Sequence, residues 1–206
     1  MSFFFYLWYN GIDESPEGYK WAESTHRFLF KAKHDACAEE KLLQTYKRLS
    51  KTMLAADVLG GIQKLGVALN EKEAHLFNAI LDTFENTVEI ETRNGFVSIS
   101  DRELSFESIE DRALELSKEL DEEVFFASVF DDDVFFFGLC RKGQSIAMHA
   151  SGQCEAYGLE KSSKNIDLME KWLCNGADVG LNLNNKEGAE FEVAMQSHLG
   201  FRFGGA

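Results

Sequence analysis

Proline is almost missing from this chain: of its 206 residues only Pro16 is one. Globular chains average about 5% proline, so a proline-rich linker or recognition segment is excluded. Cysteine is sparse and poorly spaced for chemistry. Cys37, Cys140, Cys154 and Cys174 form no Cys-x-x-Cys pair, the spacing of many zinc and redox sites. Free, mostly buried thiols in a reducing cytosol are the expected state. The phosphate-binding Gly-Lys-Ser/Thr loop, the glycine-rich dinucleotide fingerprint, the Gly-x-Ser-x-Gly elbow and the His-Glu-x-x-His zinc helix are all absent. Long apolar runs are absent too. The longest, Phe3 to Tyr9, is far short of the about 20 residues that cross a bilayer, and no basic residue precedes it as in a secretory signal.

Positive charge is also scarce: 21 Lys and Arg stand against 35 Asp and Glu, for a net charge of −14. Nucleic-acid binding works largely by releasing counterions to clustered Lys and Arg, so no nucleic-acid partner is expected. An anionic membrane surface is disfavoured for the same reason. A basic protein partner fits the charge, and so does solubility with no partner at all.

Apolar residues make up 45% of the chain and 18 residues are Phe. This suffices for a large Phe-rich core without staples. Ser2 to Tyr9 reads as a strand covered on both faces. Ser15-Pro16-Glu17 is a helix start, after which Trp21, Thr25, Phe28 and Ala32 recur at helical spacing. Phe28, Phe30 and Ala32 alternating with Arg27, Lys31 and Lys33 suit a strand nearly as well; the helix is favoured. Ala38 to Ala56 is a helix with Leu42, Leu43, Tyr46, Leu49 and Met53 on one stripe, ended by Leu59-Gly60-Gly61. Asn70 and Glu73 have the spacing of a capping box before a helix to about Phe84.

Val88 to Thr92 and Phe96 to Ser100 alternate around Asn94-Gly95, a strong hairpin signal. A helix over Phe106 to Leu120 follows, started by Ser105 or Ser108. Glu123 to Ser151 then reads as a three-stranded meander, broken at Asp131-Asp132-Asp133 and at Lys142-Gly143. A short helix through Ile166, Met169 and Leu173, and another over Lys186 to Leu199, complete the chain before a disordered Gly204-Gly205-Ala206 tail. The fold class is α+β: an antiparallel sheet of hairpin 88–100 plus meander 123–151, helices packed on one face, and a helical N-terminal part. The domains expected are residues 1–69 and 70–206, with the boundary near Gly66 to Asn70. Val124–Phe130 and Val134–Cys140 should be the central strands, with the helices at 106–120 and 166–174 packed on them.

Asn94-Gly-Phe-Val-Ser-Ile, the helix after it, Val129-Phe-Asp-Asp-Asp-Val134, the Lys-Gly turn and the Ser151-Gly152 exit resemble a group of uncharacterised bacterial proteins. Those share an acidic turn between two apolar strands and a helical C-terminal part. The resemblance covers roughly Val88 to Leu199 and leaves out the first eighty residues. It implies a bacterial cytosolic origin and the meander, and no activity.

Candidate binding residues are Asp131, Asp132, Asp133 and His149. Clustered carboxylates at a strand end can hold a hard cation, but successive strand residues point to opposite faces, and Asp is also simply a good turn residue. His149, on the third meander strand, faces the side of Ala147 and Ser151. Cys140 and Cys154 nearby raise a Cys–His nucleophile, whose geometry no sequence spacing fixes. No metal site follows from His26 and His34, which lack the i, i+4 spacing of a helical pair, nor from His75 and His198, which stand alone. The aromatic-dense N-terminus, with Tyr6, Trp8, Tyr9, Tyr19 and Trp21, is read as core rather than as a binding patch.

The favoured function is an acidic cytoplasmic protein-interaction domain of immunity or inhibitor type, without catalysis or cofactor. The alternative is a small-molecule or cation-binding enzyme or sensor with a pocket beside the meander, using Asp131, Asp133, His149 and Cys140. A homodimer by strand addition along Gln144 to Ser151 is a third expectation.

Overall fold

Val124 to Phe130 and Val134 to Cys140 offer no polar face, so a sheet built on them must be covered on both sides. A computed structural model of the chain describes residues 25–32, 36–64, 70–83, 88–101, 104, 108–130, 134–157, 159–175 and 181–203. It contains strands β1 (Thr25–Lys31), β2 (Val88–Arg93), β3 (Phe96–Asp101), β4 (Glu123–Phe130), β5 (Val134–Arg141), β6 (Gln144–Gly152) and β7 (Ser162–Lys164). The helices are α1 (Ala36–Lys64), α2 (Glu71–Thr83), α3 (Ile109–Leu120), α4 (Ile166–Leu173) and α5 (Gly188–Leu199). The strands form one antiparallel sheet in the order β2-β3-β1-β4-β5-β6-β7. The α+β class and the central, paired β4 and β5 expected from sequence are what the structure shows.

Two compact units divide the chain. One holds β1, α1 as far as Lys47, and everything from Asn86 onward, including the whole sheet; the other holds the rest of α1 and α2. The strand expected at Ser2 to Tyr9, the helix start at Ser15 to Glu17, the boundary at 66–69, the aspartates at 131–133 and the tail at 204–206 lie outside the described residues.

Local signals account for several element ends. Asn70 Oδ1 accepts from the Glu73 amide at 3.0 Å, and Glu73 Oε2 accepts from the Asn70 amide at 2.9 Å, the reciprocal capping box. Asn94 and Gly95 turn β2 into β3 at φ 47° and 81°, and Lys142 and Gly143 turn β5 into β6 at 50° and 73°. Both central residues at positive φ match the right-handed twist of a two-residue hairpin.

Three expectations are corrected. Thr25–Lys31 is a strand, not part of a helix, because it lies between β3 and β4 with Phe28 opposite both Ile99 and Phe126. Leu59-Gly60-Gly61 does not end α1, which continues to Lys64. Mid-helix glycine costs about 1 kcal/mol, which a 29-residue helix absorbs. Helices cover both faces of the sheet rather than one. On one face, α3 lies against β4 and β5, and Tyr46 of α1 meets Phe28 at 5.5 Å. On the other, Leu29, Phe96, Phe125, Ala127, Phe137 and Leu139 form a core with Met169 and Trp172 of α4 and with Phe191, Met195 and Leu199 of α5. Trp172 stacks on Phe125 at 5.6 Å.

β7 pairs with the Met148–Ala150 part of the edge expected along Gln144–Ser151. Gly138 lies opposite Phe126, whose ring fills the space a Cβ would need. Gly138→Ala should therefore cost about 1–3 kcal/mol in urea unfolding through overpacking. The same change made in a Phe126→Leu background should cost clearly less. Equal losses in both backgrounds would show that the ring is not the obstacle.

Candidate functional site

His149 is held by its own polar chain. It sits on β6 between Phe137 of β5 and Ser163 of β7, and is 4% exposed. Its ring stacks on Phe191 of α5 at 4.1 Å and 5°. Nδ1 lies 3.2 Å from Ser163 Oγ and Nε2 3.0 Å from Ser151 Oγ. The Gly188 amide donates to Ser151 Oγ at 3.0 Å. A neutral ring satisfies this set: Ser151 donates to Nε2, and Nδ1–H donates to Ser163. Burial holds the imidazole below its ordinary pKa, with Glu187 pulling the other way.

A hydroxyl 3.0 Å from an imidazole is the geometry of an activated serine. Here Ser151 is itself 4% exposed and already receives the Gly188 amide. The arrangement fastens the start of α5 to the sheet. The Cys–His pairing raised by the sequence is not assembled, because Cys140 shares a face with Val124 and α3 while His149 points to the α5 side. Burial, then Glu110, pushes the Cys140 thiol up to about 12, so it is not a nucleophile at neutral pH. Cys140 and Cys154 are free thiols, and both are buried, as is Cys174. The aspartates Asp131, Asp132 and Asp133, between β4 and β5, lie outside the described residues. Among the described residues, no three His, Cys, Asp or Glu side chains group as a metal would require. No helix there is long and apolar enough to cross a membrane.

Two buried polar sets escaped the sequence reading, both on the α3 face. His26 of β1 lies opposite Ser128 of β4, with Nδ1 2.8 Å from Ser128 Oγ. Tyr46 donates to Asp101 at 2.6 Å, and the Arg112 guanidinium lies 5.7 Å above the Tyr46 ring. A polar residue at an inward position of an apolar strand was the available signal, but it needs the strand assignment of β1 first.

The outer face of α3 is acidic. Ile109, Ala113 and Leu116 are buried, while Asp111, Glu115 and Glu119 recur at i, i+4, i+8 on the exposed side. Asp121, Glu122 and Glu123 follow directly.

Burial lowers the His26 pKa from 6.5 to about 4. A histidine depressed in the folded state leaves the unfolded chain with more bound protons as the pH falls below 6.5. Stability is therefore whole above that pH and declines toward the folded pKa, by up to about 3 kcal/mol from this residue. His149 adds in the same direction. His26→Gln should flatten the loss of stability between about pH 7 and about pH 4, measured by urea unfolding at each. An unchanged slope would assign the loss to other groups.

No family model, no curated protein and no solved structure matches this chain, so its function has to be read from its own residues.

Proposed function

We propose that this chain is a binding domain for a basic protein, docked on the exposed face of α3. The observation that carries the reading is the placement of acids along that helix. Asp111, Glu115 and Glu119 stand four apart on the solvent side, where like charges destabilise a helix by about 0.2–0.5 kcal/mol per pair. Asp121 and Glu122 continue the series past the helix C-terminus, where the dipole favours cations, while Glu123, the first residue of β4, is paired with Arg141. Asp121 also adopts φ 52°, a conformation that glycine or asparagine takes more easily. Lys118 lies 3.9 Å from Glu115, and Lys142 lies 3.4 Å from Asp121. All four side chains are largely exposed, and such pairs contribute little.

A cationic surface laid on this ridge relieves the repulsion, and complementary charge of this kind speeds encounter and selects partners. The buried side of α3 rests on β4 and β5, the two strands buried at nearly every position. An inhibitor or immunity role against a basic protein is the concrete form of this reading, and the net charge of −14 supports it.

The triple variant Asp111→Asn, Glu115→Gln, Glu119→Gln tests it. A basic partner captured at low salt from the native cytosol should elute with rising salt and bind the variant about tenfold more weakly or worse. The variant should melt no lower than the parent. Undiminished binding by the variant, or no salt-sensitive partner under any low-salt condition, would reject the proposal.

A further inference from the structure

We infer that the cleft between β2 and the segment after α5 is a binding site for a small oxyanion, a phosphate or carboxylate group. Arg27, Glu91, Arg93, Phe201 and Arg202 line a space of about 370 Å³ there. The fold brings them together across three strands. Arg27 lies opposite Ser100, and Glu91 opposite Ser98, on the two sides of β3, which sets both on one face of the sheet. Arg93 donates to the Gly200 carbonyl at 3.1 Å and so ties the C-terminal segment over β2. Phe201 is buried beneath Arg27, whose guanidinium lies 5.8 Å from its ring centre.

The charge balance in the cleft is the reverse of that in the chain. Three guanidiniums line it against one carboxylate. Glu91 is shared between Arg93, which it pairs directly, and Arg27 at 3.7 Å. Arg202 is exposed and pairs with no described acid. Arg27 donates from Nη1 to Ser98 Oγ at 3.2 Å, yet its buried Nε–H has no hydrogen-bond partner among the described residues. A buried donor left unmade costs about 1–3 kcal/mol; the Trp172 Nε1–H in the core is likewise unmet among the described residues, but of the two only the Arg27 donor adjoins a cleft lined by further guanidiniums.

Burial disfavours the charged form of Arg27, Glu91 and Glu89 favour it, and Arg93 opposes them. An arriving oxyanion adds the missing negative charge and can accept from a guanidinium fork. That planar fork is why arginine, rather than lysine, recurs at carboxylate and phosphate sites. The site is independent of the acidic ridge on α3 and would stand if that ridge had no partner.

The test is a titration of the full chain with inorganic phosphate, and separately with acetate, at constant ionic strength against chloride. Arginine Nε–Hε resonances are the readout, with the Arg27 signal assigned by Arg27→Lys. A saturable shift of the Arg27 signal with phosphate supports a phosphate-type ligand; saturation with acetate alone supports a carboxylate. Arg202→Ala removes an exposed side chain and should leave the melting temperature unchanged while weakening binding about fivefold. Glu91→Gln removes the built-in competitor and should tighten binding. No saturable shift beyond that of chloride, or equal affinity in Arg202→Ala, overturns the assignment.

Discussion

The β4–β5 pair is the constraint on which the rest depends. Both strands are buried at nearly every position, from Val124 to Val129 and from Val134 to Cys140. Such a pair cannot lie at the surface of a sheet with one wet face. It forces β1 and β6 to either side and helices above and below. Phe126 and Phe136 meet edge to face at 5.0 Å on the α3 side, and Phe125 and Phe137 stack at 6.4 Å on the other. Gly138 exists where two such side chains would collide, which is how a Phe-dense ladder closes without strain.

The buried histidines and Asp101 inside this sheet meet partners across neighbouring strands or from a packed helix. His26 finds Ser128, His149 finds Ser163 on the adjoining strand, and Asp101 finds Tyr46. A one-residue slip of any strand would send these groups to the opposite face and leave them unpaired in apolar surroundings. The histidines thus specify register, and burial disfavours the charged form of both. Their shared vulnerability to acid is the consequence of using imidazoles in that role.

What could be read in advance was the chemistry of short spans. The capping box at Asn70, the two hairpin turns, the helix stripes and the β4–β5 pair all depend on residues close in sequence. The failures depend on distant ones. Thr25–Lys31 has helical and strand periodicity at once, and only pairing to both β3 and β4 decides between them. The Cys140–His149 pairing failed through a single irregularity. A two-residue turn at Lys142-Gly143 with unbroken pairing would set His149 opposite Phe136, on the Cys140 side. The register shift between Leu139 and Cys140 sets it opposite Phe137 instead, and the whole end of β6 changes face. The Arg27 cleft was illegible for the same reason, since its residues come from β1, β2 and the C-terminal segment.

The edges of the sheet connect this architecture to the charge. β7 is only three residues long, and β2 carries Glu89, Glu91 and Arg93. Short or charged edges resist the addition of another strand. Among the described residues, addition of another strand is thereby discouraged at β2 and at β7. The distribution of side-chain charge is uneven: acids lie on the open side of α3, while Arg27, Arg93 and Arg202 converge where β2 meets the C-terminal segment. A chain needing charge only for solubility could spread both signs over its surface. Three guanidiniums gather there with Glu91 and Glu89, and the Arg27 Nε–H is buried and unmet among the described residues. Arg27 and Arg93 also serve the packing, through Ser98, Phe201 and the Gly200 carbonyl, so Arg202 and the unmet Arg27 donor are what speak for binding at the cleft.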